Sequence, residues 1–550
     1  MKYQVVFLTW LLGLICTSRQ LAAQSNLRLD DVSDRAGIEC THFSGGTGQH
    51  YIIETVTSGL ASCDYDSDGL IDVFLLSGAP LLGATVEPAP RSRLFRNIGD
   101  FRFIDVTDQA GVGLETFALG VAAGDYDNDG DPDLFVSNFG PAILLQNNGD
   151  GTFTRQTFPA AKGPPRVGAG VSLLDVDADG LLDIYFANYI RFSFDKRATR
   201  TIFGVPAAPG PKDYLPDTHT LLHNDGSGGF DDVSERVGLP AHPGPGMGTV
   251  AFDFDHDRDT DLFVCNDSAA NFLFENRGPL DWAEIGLIAG VAYDVRGAQQ
   301  ATMGADVADF DGDGHLDLVT TCFINEIPTL YRNSGVGYFD DIAASVGLGA
   351  ATRNVTWGVG FSDFDNDTWP DLFIASGHLI AGISRVQDTQ RFAAPNLILQ
   401  NRLGKRFVDV TKNSGTAGQA QQVSRGIAID DFDNDGLNDV IVLNLNDHPQ
   451  VIRNATSSAG NYLQLQLVGL RSNRDAVGSR VTVTVGQRKL VQEVIAGRGY
   501  QSHFGTRLSF GLGSATHADQ IEVEWHGGVS EQFGKTTAGQ LVILRQSDHY

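Results

Sequence analysis

Positive charge is what this sequence is short of. Its 550 residues hold 39 Lys and Arg against 68 Asp and Glu, a formal net charge of −29, which argues against electrostatic capture of nucleic acid or of an anionic membrane surface. Such a chain has to hold cations or repel itself. Long apolar runs are missing too: after the first 23 residues no segment is apolar enough to cross a bilayer, and Leu541 to Tyr550 is polar. Linear catalytic signatures are also lacking. The 13 histidines are scattered, and no G-x-S-x-G, H-E-x-x-H or G-x-x-x-x-G-K-[ST] pattern occurs. What is present is 42% hydrophobic residues and 64 glycines without a period of three, a composition that excludes disorder and collagen and suggests the turns of an all-β protein.

Residues 1–23 read as a secretory signal: Lys2, the apolar run Val5–Ile15, then Ala22 and Ala23 before Gln24. Removing it takes away Lys2 and Arg19 and no acid, moving the charge from −29 to −31. Gly13-Leu14-Ile15 before Cys16 is a poor lipobox. The expectation is an exported, soluble protein. Export means an oxidising compartment, and four cysteines remain, with the pairing Cys40–Cys63 and Cys265–Cys322 set against four buried free thiols. Sequons at Asn266, Asn354, Asn366 and Asn454 matter only in a eukaryotic secretory pathway.

One pattern dominates the chain. The nonapeptide D-x-D-x-D-G-x-x-D recurs seven times, with aspartates at positions one, three, five and nine. They are Asp64, Asp66, Asp68 and Asp72; Asp125, Asp127, Asp129 and Asp133; Asp175, Asp177, Asp179 and Asp183; Asp253, Asp255, Asp257 and Asp261; Asp309, Asp311, Asp313 and Asp317; Asp363, Asp365, Asp367 and Asp371; and Asp431, Asp433, Asp435 and Asp439. The sixth position is glycine in five copies and Arg258 and Thr368 in the fourth and sixth, which makes those two the suspect sites. Three columns recur in step: a glycine five residues before each loop (59, 120, 170, 248, 304, 358 and 426), an asparagine after it (97, 147, 224, 276, 333, 401 and 454), and an aromatic residue or Leu opening a strand (29, 103, 153, 230, 282, 339 and 407).

Each unit holds four short stretches of β character bounded by Gly, Asn and Asp turns. Four strands per unit and seven units, at loop spacings of 50 to 78 residues, predict a seven-bladed β-propeller over residues 24–457. Parallel β-helix coils would repeat at shorter spacing. The glycine column fits crowding of the innermost strands at the axis. Leu29 opens a strand before the first loop and no such strand follows Asn454, so Leu27–Val32 is expected to complete the last blade. Residues 461–546 leave the pattern and alternate like a small separate β-sandwich.

Alternating carboxylates suit a hard cation such as Ca2+, which takes six to eight oxygen ligands. Three side chains converge from one turn, the seventh carbonyl adds a ligand, and the ninth carboxylate closes the site. EF-hand loops need a twelfth-position acid and helical flanks, whereas these flanks are strands. Up to seven Ca2+ ions are expected, which would move the charge from −29 to −15.

The loops with their Gly and Phe-type columns resemble the FG-GAP or VCBS repeats of the integrin α-chain head. The tail motifs Ser472-Asn473-Arg474, Gly478, Arg498-Gly499-Tyr500-Gln501-Ser502, Phe510-Gly511-Leu512-Gly513 and Val523-Glu524-Trp525 resemble the ASPIC/UnbV domain. In this order the two are similar to the cartilage acidic protein family over nearly all of the mature chain. Where that family more often has Trp-Pro-Ser-Gly, this chain has Trp525-His526-Gly527-Gly528. The resemblance implies a secreted calcium-binding module for adhesion, with an extracellular glycan or protein as partner and no established catalysis. The alternative is an enzyme acting on polysaccharide or another polymer, for which His223, His378, His503, Arg353 and Tyr500 are the residues to inspect. The insertions Ser77–Ser92, Tyr189–Thr218 and Gly377–Ala394 all join second to third strands, so they belong on the face opposite the aspartate loops, where a partner would bind.

Overall fold

The computed structural model describes residues 27–46, 48–158, 165–196, 200–202 and 204–548, the side chain of Thr157 apart. The signal segment and Cys16 lie outside the described residues.

Seven antiparallel sheets carry the repeats, six of four strands and the fourth with a short fifth strand, Gln300–Ala301, paired to its second strand. The second sheet, for example, runs Ala118–Gly124, Asp133–Asn138, Ile143–Asn147 and Phe153–Thr157 from inside to outside. Its two inner strands are buried throughout, which is why they read as continuous small and apolar runs and not as alternation. The innermost strands of successive sheets neighbour one another, and that of the last, Ser424–Asp430, meets that of the first, Leu60–Cys63, so the ring is closed. This is a β-propeller. Its closure is made by the N-terminal strand: Leu29–Asp31 pairs antiparallel with Gln450–Asn454 as the outer strand of the last blade, in the register Leu29 with Asn454 and Asp31 with Ile452.

The C-terminal region has two main sheets. One combines Asn461–Val468 with Leu508–Gly513 and, in parallel, with Leu541–Arg545; the other orders Arg488–Glu493, Arg480–Val485, Gln520–Glu524 and Ser530–Phe533. Leu465, Phe510, Val481, Ile521 and Trp525 share one buried core between them. This core does not stop at the C-terminal region but continues into Phe135, Leu173, Leu182 and Ile184 of the second and third blades.

The domain also sends a loop into the propeller axis. Ala496 O accepts from Leu173 N at 2.9 Å, Gly499 exchanges hydrogen bonds with Ala305, Gln501 O accepts from Val121 N, and His503 exchanges hydrogen bonds with Leu60 and Ser62. Four inner strands are thus tied to one loop. The glycine column follows from this as well as from blade crowding: a Cβ at Gly59 would overlap the Gln501 carbonyl, and one at Gly304 would lie 2.6 Å from Trp357 O and 2.9 Å from Gly499 O. At the loop's tip Tyr500, fully buried, donates to Val56 O at 2.7 Å and packs edge-on against Trp357. Tyr51, Ile52, Ile53 and Val56 enter the same cluster with Met247, Met303 and Trp357. The axis is packed from both ends.

The cysteine pairing is corrected. Cys40, Cys63, Cys265 and Cys322 are all free thiols. Counted from the ninth aspartate, Cys265 is four residues on and Cys322 five, and strand alternation turns those positions to opposite faces. Cys63 packs in the core of the first two blades, while Cys40 lies against that of the last. Burial pushes the Cys40 thiol up to about 12 and the other three well above the usual thiol range, so they are poor thiolates. Three of the sequon asparagines, Asn266, Asn366 and Asn454, are buried.

Deleting residues 24–38 removes the closing strand and leaves Gln450–Asn454 as an unpaired edge. Aggregation on size exclusion, or loss of a single cooperative melting transition, is the expected outcome; a truncated chain that melts like the parent shows that the ring closes otherwise.

Candidate metal centres

In every repeat the aspartate loop joins the first strand to the second, so all seven loops lie at one end of the propeller. Each is folded by its own carboxylates. The first aspartate accepts the N–H groups of residues five and six: Asp64 from Asp68 at 3.0 Å and Gly69 at 2.9 Å, Asp431 from Asp435 at 3.0 Å and Gly436 at 2.7 Å. The fifth accepts the seventh N–H, as Asp129 does from Asp131 at 3.0 Å. The ninth is buried and accepts the second residue's N–H on one oxygen and the column asparagine's N–H on the other, at 3.2 and 2.7 Å for Asp72 with Tyr65 and Asn97. That asparagine's side-chain amide then donates to the second-position carbonyl of the preceding blade's loop: Asn97 to Phe432 O, Asn147 to Tyr65 O, Asn224 to Tyr126 O, Asn276 to Val176 O, Asn333 to Phe254 O, Asn401 to Phe310 O and Asn454 to Phe364 O, all between 2.7 and 3.0 Å.

The two suspect loops keep this geometry. Asp253 accepts from Arg258 N at 3.0 Å and Asp363 from Thr368 N at 2.7 Å. Arg258 and Thr368 take the left-handed φ of 81° and 83° that the glycines take elsewhere, 88° at Gly69. A residue with a Cβ pays about 1–2 kcal/mol for that conformation.

The third aspartate points into the loop. In the first four loops the first, third and ninth carboxylates each offer an oxygen within 4.8 Å of the other two. The Oδ1 atoms of Asp66, Asp127, Asp177, Asp255, Asp365 and Asp433 are buried with no hydrogen-bond partner among the described residues. A buried carboxylate oxygen left so is costly, and its chemistry fits a hard cation. Sequence reasoning missed the residue just before each column asparagine, which stands over the third aspartate: Gln146 donates to Asp127 at 2.9 Å, His223 lies 3.0 Å from Asp177, Gln400 donates to Asp365 at 2.7 Å, and Arg453 lies 2.9 Å from Asp433. Its residue type varies, so position alone could have revealed it.

Burial, reinforced by neighbouring carboxylates, pushes Asp72 and Asp133 up to about 9 and Asp125 and Asp309 to about 7.

The C-terminal domain covers this end and touches every loop. Arg507 donates to Gly69 O and Asn434 Oδ1; Asp475 accepts from Asp125 N at 2.7 Å; His526 lies 2.9 Å from Asp175 O; Glu493 accepts from Asp253 N at 3.2 Å; Arg480 donates to Gly314 O; Arg488 donates to Thr368; and Gln464 donates to Asp431 at 2.9 Å. A Cβ at Gly511 would overlap the Asp363 carboxylate, so that tail glycine is explained by close approach to the sixth loop.

The residues inspected for catalysis do not form one site. His223 belongs to the third loop. His503 and Tyr500 sit on the axial loop, with His503 held down to about 3 by burial. His378 is buried, its Nδ1 accepting from Ile380 N and its value lowered to about 4, and Arg353 is exposed at the end of a 3-10 turn.

Comparison with known proteins agrees with this architecture. The family model described as FG-GAP-like repeat matches residues 64–136, 125–186 and 253–320, and the one described as ASPIC and UnbV matches residues 469–550. The chain is an FG-GAP-repeat protein with a C-terminal ASPIC/UnbV domain. Cartilage acidic protein 1 of Homo sapiens is 27% identical over 305 residues, 54% of this chain and 43% of that protein; that of Xenopus tropicalis is 26% identical over 312 residues, 54% and 44%. The matched region thus spans less than half the length of these curated relatives. Among solved structures, an Agrocybe aegerita lectin described for recognition of non-reducing terminal N-acetylglucosamine aligns with 71% of this chain and 87% of its own at 16% identity and a TM-score of 0.40. YCF48 bound to D1 peptide aligns with 72% and 91% at 8% identity and 0.39. Among the described residues of this FG-GAP-repeat protein, no helix is long and apolar enough to cross a membrane.

Arg258→Gly relieves a left-handed φ and is expected to stabilise the fold by about 1 kcal/mol, read as a higher midpoint in urea at an unchanged slope; an unchanged or lower midpoint contradicts it. The pH dependence of the metal-free chain has an unusual sign. These aspartates hold protons in the native state that the unfolded chain releases, so stability falls as pH rises from about 4 towards about 9. In EDTA the protein should melt lower near pH 8 than near pH 5, and the reverse order would show that the loops are not strained by their own charge.

Proposed function

We propose that this protein is an exported calcium-binding propeller that presents a ligand-binding face to an extracellular glycan or protein. The observation that carries the metal reading is the set of six buried third-position oxygens without a partner. Each loop would hold Ca2+ through its first, third and ninth aspartates, with the fifth and the seventh carbonyl completing the set. A bound divalent ion supplies the positive charge that lets four carboxylates share one turn. The chain's own residues fix that turn before the ion arrives, through hydrogen bonds from residues five, six and seven.

The binding face is assigned by elimination of the other. The loop face is covered by the ASPIC/UnbV domain, while the long insertions lie at the opposite end. There Val205 and Ala207 of the third-blade insertion pack with Ile380 and Ile383 of the sixth-blade insertion, so two blades jointly roof that end. Phe192 and Phe194, half-buried, meet Tyr51 and Phe139 edge-on at 5.2 to 5.8 Å. Aromatic rings on a fixed scaffold suit both sugar faces and protein side chains. The reading is of a binding module; a polymer-acting enzyme is the alternative.

The test is a glycan-array and matrix-protein screen with and without calcium, run on the parent and on a variant with residues 189–218 replaced by a short Gly-Ser turn. The parent should bind, chelation should lower its melting temperature strongly, and the variant should lose binding while keeping the calcium-dependent melt. Binding retained by the variant moves the ligand elsewhere; a melt indifferent to chelation removes the metal reading.

A further inference from the structure

Seven loops of one design are not held in one way. The sixth-position carbonyl is the point where they differ. In three cases it accepts from the fourth-position asparagine of the preceding loop: Gly180 O from Asn128 at 2.9 Å, Gly436 O from Asn366 at 3.1 Å and Gly69 O from Asn434 at 3.1 Å. The loop before the sixth has Gly312 at its fourth position and no amide to offer. There the donor comes from the ASPIC/UnbV domain, as it also does at Gly314 O of the fifth loop, which accepts from Arg480. Arg488 donates to Thr368 O at 3.1 Å and to Thr368 Oγ1 at 2.5 Å, and its guanidinium stacks 3.5 Å over the ring of Trp369, the next residue. Gly460 N and Gly513 N donate at 2.8 Å to Asp365 O and Asn366 O of the same loop.

The other loop without glycine is also gripped by the domain. His256 lies 3.1 Å from Glu524, Asp253 N donates to Glu493, and Thr260 lies 3.5 Å from His526. In both of these loops the third aspartate, Asp255 or Asp365, has a buried Oδ1 with no partner, so both are built for a cation despite the missing glycine.

We infer that the ASPIC/UnbV domain is the clamp that closes the two glycine-free metal loops, with Arg488 as the positioning residue of the sixth. The inference rests on the reading of the loops as cation sites and adds a division of labour. A glycine loop is touched by the domain too, but has no left-handed penalty for it to offset. A loop with Arg258 or Thr368 at the left-handed position is pulled from it by its own backbone preference, and the docked domain holds it there. Ion binding and docking select the same conformer, so each favours the other. The opposing effect is Coulombic, since a guanidinium near the site repels a cation. The two effects predict opposite signs for removal of Arg488, and the clamp requires a loss of affinity.

Terbium serves as the probe, because Trp369 sits within the sixth loop and can sensitise its luminescence; Trp369→Phe identifies that signal. In the full chain, Arg488→Met should weaken the Trp369-sensitised site roughly tenfold, the size of a left-handed penalty. Adding Thr368→Gly to Arg488→Met should restore most of that affinity, a rescue that a merely structural arginine would not show. The remaining sites, followed by total calcium stoichiometry, should be unchanged, which also shows that the variant is folded. Equal or tighter binding in Arg488→Met, or no rescue by Thr368→Gly, overturns the clamp with the metal reading intact. No Trp369-sensitised signal in the parent overturns the metal reading of that loop and the clamp with it.

Discussion

A buried aspartate that must be paired holds this molecule together. The ninth carboxyl group of each loop lies in the blade core, where an unpaired polar group is costly. Its two oxygens take backbone N–H groups from both sides of its own turn, one of them from the column asparagine. Because that asparagine also reaches the previous blade's loop, satisfying the aspartate fixes where the neighbouring blade stands. A buried hydrogen bond of this kind contributes about 0.5–1.5 kcal/mol, and seven such joints set the angular spacing of the ring. The metal loops, the inner glycines and the closure by Leu29–Asp31 presuppose that spacing.

The second constraint is the axial loop. It bonds to inner strands of the first, second, third and fifth blades, so the propeller and the ASPIC/UnbV domain have a shared interior, not a mere interface. Arg498 shapes the loop by donating to Phe504 O and Gly505 O and pairing with buried Asp306 at 3.4 Å. The tail motif around Gly499 and Tyr500 therefore belongs structurally to the propeller as much as to its own domain.

The repeats and the loops were legible because ligand spacing and strand spacing are both local properties of the chain. Closure by the segment from Leu27 was legible as well, since a phase shift in a periodic pattern can be counted. What could not be read depends on elements far apart in sequence. Asn97 stands out as a column, but its partner, Phe432 O, appears only when the ring is closed. The alternating tail strands gave two sheets, but not the axial loop or the covering of the metal face, because Arg480, Arg488 and Arg507 look like ordinary surface cations until they are docked. Cys265 and Cys322 misled because similar places in successive repeats differ by one residue, and one residue reverses a side chain in a strand.

The N-terminal strand carries a consequence for how the chain is made. Asp31 accepts from Gln450 across 419 residues of sequence, and Tyr500 reaches back to Val56 across 444. The strand Leu29–Asp31 thus has no partner until the last blade has been synthesised, and the centre of the ring is filled by a segment made after all seven blades. Long-range pairings of this kind make folding slow, so this chain spends its synthesis with an unfinished outer edge and an unfilled middle, and reaches its native form only after it is whole.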